Sequence, residues 1–163
     1  MSGGTDRGGD ASATSHRISA GALVVRDGRI LLVRHLKPGA YDFWVAPGGG
    51  VRHRETLQDA VVREVREETG LEVEPRRLAY IEELVSPRQR LCKFWFAARP
   101  LGGRLSAEHE AAKREHIVEA CWKTRAALGD LCLYPPVLKD AFWSDWEAGF
   151  PEPRHLGLRE MQI

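Results

Sequence analysis

The sequence predicts an α/β protein, a mixed set of strands layered with helices. Three observations carry that prediction. Short apolar and β-branched runs recur along the chain, as at Ile18 to Val25, Ile30 to Val33 and Leu91 to Ala98. Between them Leu57, Ala60 and Val61 begin a stripe at helical spacing. A second such stripe, through Val137, Leu138, Ala141, Phe142 and Trp146, follows the last strand-like run. Helices alternating with strands in this way point to an α/β sandwich.

Taken in order, residues 1–16 are rich in Gly, Ser, Thr and Asp and nearly devoid of apolar side chains. They cannot bury enough surface to offset the entropy of ordering, so a disordered arm is expected. The folded domain is expected over 17–148. Ile18 to Val25 and Ile30 to Val33 read as strands joined at Asp27-Gly28, a two-residue hairpin signal. His35 to Ala40 reads as a loop with Lys37-Pro38-Gly39 at its tip, and Phe43 to Ala46 as a short strand entering Pro47-Gly48-Gly49-Gly50. Thr56 is a candidate N-cap with Asp59 at the third helical position, a capping box. That helix runs to Thr69, and Gly70 suits its C-terminal cap.

Leu78 to Val85 and Leu91 to Ala98 read as strands paired across Ser86-Pro87-Arg88-Gln89. Residues 100–115 read as a long polar loop, a kind of connection that is uncommon unless it serves function. Ile117 to Trp122 is a further strand, and a final helix is expected from Pro135-Pro136 onward. Residues 149–163, which contain two prolines, read as a loosely held tail.

Length and charge narrow the function. A chain of 163 residues fits one domain with a single sizeable core. A net charge of +1 leaves no basic footprint for nucleic acid. No apolar run approaches the roughly 18 residues that span a bilayer, and the first residues lack a signal-peptide apolar core. A cytoplasmic location is expected. Cys92, Cys121 and Cys132 show neither disulfide-framework nor zinc spacing and read as core or semi-buried thiols. His109 and His116 read as surface residues.

The stretch Gly49 to Leu71 breaks a local rule. The apolar stripe of its helix continues at positions 64, 65 and 68, and two of those are glutamates. Glu64 and Glu68 are a like-charge pair one turn apart, and Glu67 and Glu68 sit in the last turn, where the helix dipole disfavours anions. Such a cost without structural return marks a functional site. A divalent cation is the simplest compensation, and hard oxygen donors select Mg²⁺, with Mn²⁺ as a substitute, over zinc.

These residues resemble the Nudix box, G-x5-E-x7-R-E-U-x-E-E-x-G-U with U aliphatic. Gly49, Glu55, Arg63, Glu64, Val65, Glu67, Glu68, Gly70 and Leu71 match every fixed position without a gap. Trp44 to Gly49 is similar to the family's lead-in, and Val118 to Trp122 to its later strand. The resemblance implies a Nudix fold, a mixed β-sheet sandwiched between α-helices (α/β/α), with the box as a loop–helix–loop at its edge. It also implies Mg²⁺ ligands at the Gly48 carbonyl, Glu64, Glu67 and Glu68. Arg63 and Glu55 would hold the neighbouring carboxylates in place by charge-assisted bonds.

A catalytic base is expected among the box glutamates, Glu64 and Glu67, or from the later polar loop. There Glu115 is preferred over Glu108 and Glu110 because it stands at a strand entry. Arg34, His35 and Lys37, at the end of the second strand, are candidate contacts for substrate phosphates. Tyr41, Phe43, Phe94 and Trp95 could stack a nucleobase, although aromatics on strands usually fill cores.

The activity implied is Mg²⁺-dependent hydrolysis of a pyrophosphate bond in a nucleoside diphosphate linked to another moiety. Its substrate is a small nucleotide, and homodimers are frequent in the family. Pro87, sixteen residues beyond Leu71, resembles a feature of ADP-ribose-directed members. The alternatives are a nucleoside triphosphate pyrophosphatase, an isoprenyl diphosphate isomerase and a non-catalytic nucleotide sensor. The intact set of carboxylates argues against the last two.

Overall fold

The computed structural model describes residues 14–161, so the first thirteen residues of the expected arm lie outside the described part. The chain order is β1 (Ser15–Arg26), β2 (Arg29–Lys37), β3 (Tyr41–Val45), β4 (Gly48–Gly50), α1 (Leu57–Thr69), β5 (Leu71–Ser86) and β6 (Gln89–Gly103). Then come α2 (Glu110–Arg114), β7 (Ile117–Thr124), β8 (Leu133–Tyr134), α3 (Ala141–Ala148) and β9 (Arg154–Glu160). The main path of the sheet is β8-β3-β2-β1-β6-β5-β9, with β4 paired to β1 and β7 to β2.

β1 is the hinge of the arrangement. Its first ten residues run parallel to β6, from Ser15 opposite Gln89 to Val24 opposite Ala98. Its last two turn back onto β2 through Val25–Ile30 and Arg26–Arg29. Asp27 and Gly28 both take positive φ, 51° and 69°, as the type I′ hairpin requires. The side chains of β1 alternate between two cores, as a pleated strand dictates. Ala20, Ala22 and Val24 meet Ala60, Val61 and Val65 of α1 on one face. Leu23 joins Trp95, Leu138, Phe142 and Phe150 on the other. Burying Val61 and Val65 contributes roughly 1.5–3 kcal/mol each, which offsets the carboxylates on the same helix face.

α1 starts and stops where its sequence signals stand. Thr56 accepts from the Asp59 N–H at 3.1 Å while Asp59 accepts from the Thr56 N–H at 3.2 Å, and Gly70 caps the other end at φ 74°. Several expectations need correction. β2 runs on to Lys37, inside the expected loop at 35–40, and β5 starts at Leu71 rather than at Leu78. The polar loop at 100–115 is shorter than read, because β6 runs on to Gly103 and α2 occupies Glu110–Arg114. Its small apolar anchor, Ala112, packs with Val33 and Ile117.

The final helix does not begin at Pro135. A 3-10 turn over Pro136–Lys139 precedes α3, and Asp140 breaks the register with φ −136° and ψ −91°. The 149–163 tail is mostly no tail at all, since β9 adds parallel to β5 from Tyr80–Arg154 to Val85–Glu160. Its one alternation, Leu156 and Leu158, is too short to mark a strand; Leu156 packs against the core, and the ladder and ion pairs hold the rest. Of the thiols, Cys132 is exposed while Cys92 and Cys121 are half-buried.

Candidate functional site

α1 lies across the end of the sheet so that its charged side faces β4. The ladder of β4 against β1 sets Gly48 opposite Gly21 and Gly49 opposite Ala20. Gly49 permits the close approach, since a Cβ there would stand 2.7 Å from the Glu64 carboxyl carbon. Glu64 and Glu68 are 4% and 2% exposed, as buried as the valines beside them. Glu68 Oε2 accepts from the Gly48 N–H at 3.0 Å.

Glu115, just past α2, swings in from the other side. One oxygen from each of Glu64, Glu68 and Glu115 lies within 4.8 Å of the others. Burial, then Glu115 and Glu64, push the Glu68 carboxyl well above the usual carboxylate range. Burial followed by Glu64 and Glu67 pushes Glu115 up as well.

Two buried oxygens of this cluster, Glu64 Oε2 and Glu68 Oε1, have no hydrogen-bond partner among the described residues. A buried carboxylate oxygen left bare is costly, and three converging carboxylates compound the cost. An all-oxygen donor set of this kind fits a hard divalent cation. Glu64, Glu68 and Glu115 are the residues that would hold it, with the Gly48 backbone alongside.

Arg63 organises the rim. Its Nε and Nη2 donate to Glu55 at 2.5 and 2.9 Å, its Nη1 to Glu64 at 2.6 Å and Glu67 at 3.2 Å, and Nη2 also to the Gly50 carbonyl at 3.0 Å. Beside this guanidinium Glu55 is held at about 2. Glu67 stands apart from the three-carboxylate cluster. It is held by Arg63 and by Arg52 at 3.2 Å, at the mouth of a 230 Å³ cavity that Arg17, Arg114 and Glu115 also line.

On the far side of Gly48 opens a second cavity of 370 Å³. His35, Tyr41, Phe43 and Tyr134 line it together with Lys93 and Trp95. His35 stacks on Phe43 with ring centroids 5.0 Å apart, and its Nδ1 lies 3.0 Å from the Glu115 carbonyl. Burial pushes its imidazole below the ordinary range. Of the three phosphate contacts expected at the end of β2, only His35 reaches this cavity. Arg34 pairs with Asp42 at 2.7 Å and leans on the Trp44 ring, and Lys37 is exposed at the strand end. Of the aromatics, Trp95 is almost fully buried, and Phe43 and Tyr41 border the cavity.

The sequence reading missed Lys93, Glu82 and Arg159. Lys93 had a signal, a lysine inside the apolar run Leu91 to Ala98. Arg159 had none, since β9 carries no pattern that marks it as a strand.

The NUDIX domain model matches residues 15–141. The chain belongs to the Nudix family. Among similar proteins, the human 8-oxo-dGDP phosphatase NUDT18 is 36% identical over 99 residues, 61% of this chain and 29% of that protein. An ADP-ribose pyrophosphatase of Methanocaldococcus jannaschii is 31% identical over 60% of this chain and 59% of its own length. The chain thus spans under a third of the first of these Nudix proteins and about three fifths of the second.

A Nudix hydrolase structure from Nitrosomonas europaea superposes with a TM-score of 0.69 at 21% identity, covering 83% of this chain and 91% of that one. A Streptococcus suis structure titled as an ADP-ribose pyrophosphatase gives 0.62 at 26% identity, over 85% and 98%. The mixed sheet with helices on both faces is therefore the Nudix fold. Among the described residues no helix is long and apolar enough to cross a membrane.

Proposed function

We propose that this Nudix protein is a Mg²⁺-dependent pyrophosphohydrolase that cleaves the anhydride bond of a nucleoside diphosphate linked to another moiety. The observation that carries the reading is the cluster of Glu64, Glu68 and Glu115 with its two unsatisfied buried oxygens, joined through Gly48 to an aromatic-lined cavity. A divalent cation bound there supplies charge neutralisation at phosphate oxygens and a more acidic attacking water.

The chain's own residues do the rest. The 370 Å³ cavity is of a size that takes a nucleoside, with Phe43, Tyr41 and His35 offering ring faces. Arg63 fixes the rotamers of Glu55, Glu64 and Glu67, so the carboxylates need not reorganise when substrate arrives. Glu115 gives one oxygen to the cluster and has a second to take a proton from the attacking water. His35 positions it by holding its backbone carbonyl. Glu67 would bind a second ion on giving up Arg52 and Arg63.

For the substrate, ADP-ribose or a related nucleotide sugar is our first choice, in line with the archaeal and streptococcal relatives named as ADP-ribose pyrophosphatases and with Pro87 in the turn between β5 and β6. A nucleoside di- or triphosphate is the second. It is favoured by one observation, the guanidiniums of Arg17, Arg52 and Arg114 around the 230 Å³ cavity, which suit a terminal phosphate better than a sugar. The protein is taken to act on this small nucleotide in the cytoplasm.

Comparing kcat/KM for ADP-ribose, nucleotide sugars, dinucleoside polyphosphates and nucleoside di- and triphosphates with Mg²⁺ tests the reading. A triphosphate or diphosphate exceeding ADP-ribose tenfold would reverse the order of the two choices. No Mg²⁺-dependent turnover across the panel would remove the hydrolase.

A further inference from the structure

Lys93 lines the larger cavity with Asp42, Glu82 and Arg159, and unlike those three it closes no ion pair among the described residues. It stands in the middle of β6, flanked in the ladder by Ser19 of β1 and Glu82 of β5, and is 9% exposed. A buried ammonium ordinarily closes an ion pair, because an unpaired buried charge costs several kcal/mol. Among the described residues Lys93 has neither a hydrogen bond nor an ion pair within 4.0 Å. Its Nζ sits 4.2 Å from the centre of the Trp95 ring.

The nearest carboxylates are committed elsewhere. Glu82 spends one oxygen on Trp95 Nε1 at 3.0 Å and the other on Arg159 at 2.7 Å. Glu68 turns one oxygen to the Gly48 N–H and belongs to the three-carboxylate cluster. Burial pushes the Lys93 ammonium below the ordinary lysine range, and Glu68, Glu82 and then Glu64 act against that through space. Lys93 thus lines the cavity together with Gly48, whose N–H holds Glu68 of the carboxylate cluster.

We propose that Lys93 binds the phosphate directly attached to the nucleoside, at the junction between the aromatic cavity and the carboxylate cluster. The inference rests on the nucleotide reading above and names the group that orients the substrate within it. Two features fit the assignment. A lysine holds a phosphate as a point charge without demanding one orientation of its oxygens, which suits a group that must stay aligned with a bond being broken beside it. The Trp95 ring and the alkyl stem of Lys93 exclude water on the inner side, so the attraction is not screened as at a surface. Lys93 is then a positioning residue whose contact a nucleoside without phosphate cannot use.

The test is the binding of phosphate-bearing and phosphate-free ligands, which needs no turnover. Dissociation constants are measured by calorimetry with Mg²⁺ for AMP against adenosine and for GMP against guanosine. The wild-type protein should prefer the monophosphate at least tenfold in one pair. Lys93→Met, which keeps the stem over Trp95, should shrink that preference to under twofold while nucleoside affinity stays within twofold. Lys93→Arg should retain at least fivefold.

Equal affinities of the wild type for nucleotide and nucleoside would overturn the assignment before any variant is made. A Lys93→Met protein that keeps the tenfold preference would overturn it equally. A protein that binds AMP or GMP through Lys93 yet turns over nothing in the Mg²⁺ panel would sink the hydrolase reading alone, so the two failures are distinguishable.

Discussion

Glu68 and Glu82 are buried to the same degree, 2% exposed each, and their surroundings could hardly differ more. Glu82 is completed by the protein, with an indole N–H on one oxygen and a guanidinium on the other. Glu68 is left incomplete, with one oxygen on a backbone N–H, the other bare, and two further carboxylates pressed against it. Burial alone therefore does not mark a functional carboxylate. The bare atom does, because folding tolerates it only where something else supplies the missing partner.

The comparison is broken most sharply by removing the charge at Glu68. Glu68→Gln is expected to lower kcat by about 10²–10⁴-fold while thermal stability without metal stays equal or rises. Steady-state kinetics and calorimetry on the same samples check both halves. Near-full activity would show that the bare oxygen has no catalytic meaning. Glu67→Gln should cost less, about tenfold, because its carboxylate is already paired with Arg52 and Arg63.

Next in size is Glu115→Gln. It should depress kcat by about 10²-fold and remove the acidic limb of the pH–rate profile, while substrate KM changes little. An unchanged profile would pass the base role to Glu64.

Glu82→Ala sharpens the other side of the comparison. It leaves the buried Trp95 N–H and the Arg159 guanidinium without their acceptor. A loss of about 2 kcal/mol is expected, seen as a fall of roughly 5 °C in Tm. If Glu82→Ala is as stable as the wild type, the idea that Glu82 is structurally completed fails.

The smallest effect is one of pH. The Glu68 carboxyl is raised on folding, so its contribution to stability is present below its ordinary value of 4.5 and is lost as pH rises through the folded value. Without metal, Tm should decline as pH rises above 4.5, and the decline should flatten in Glu68→Gln. Glu55 works in the opposite sense. Arg63 depresses it to about 2, so its contribution is lost only as pH falls from 4.5 toward that value, outside this window. A flat wild-type profile would mean that Glu68 is not strained.

What the sequence made legible follows from the same contrast. α1, its capping box and its Gly70 cap were readable because local signals and tertiary structure agree there. Glu64 and Glu68 stood out because they violate the pattern of that helix, and both are buried there. The strand pairs β1–β2 and β5–β6 were readable from apolar runs and turn residues, though β5 and β6 run longer than those signals. Polar segments hid the rest. α2 is five residues long and buries only Ala112, too little to show a period. β9 is an edge strand held by ladder bonds and by Arg159 and His155, so its residues read as a tail. Arg34 was misjudged because position at a strand end does not say which face a side chain takes, and Asp42 across the β2–β3 ladder claims it.

β9 has one more consequence. The carboxylate cage is drawn from residues 48 to 68 and from Glu115, whereas Arg159 and Met161, which help wall the aromatic cavity, come from the end of the described chain. The acids of the cluster and these two cavity residues thus lie on separate stretches of polypeptide. A chimaera that exchanges the last dozen residues for those of another Nudix protein would reshape the cavity without disturbing a single acid of the cage.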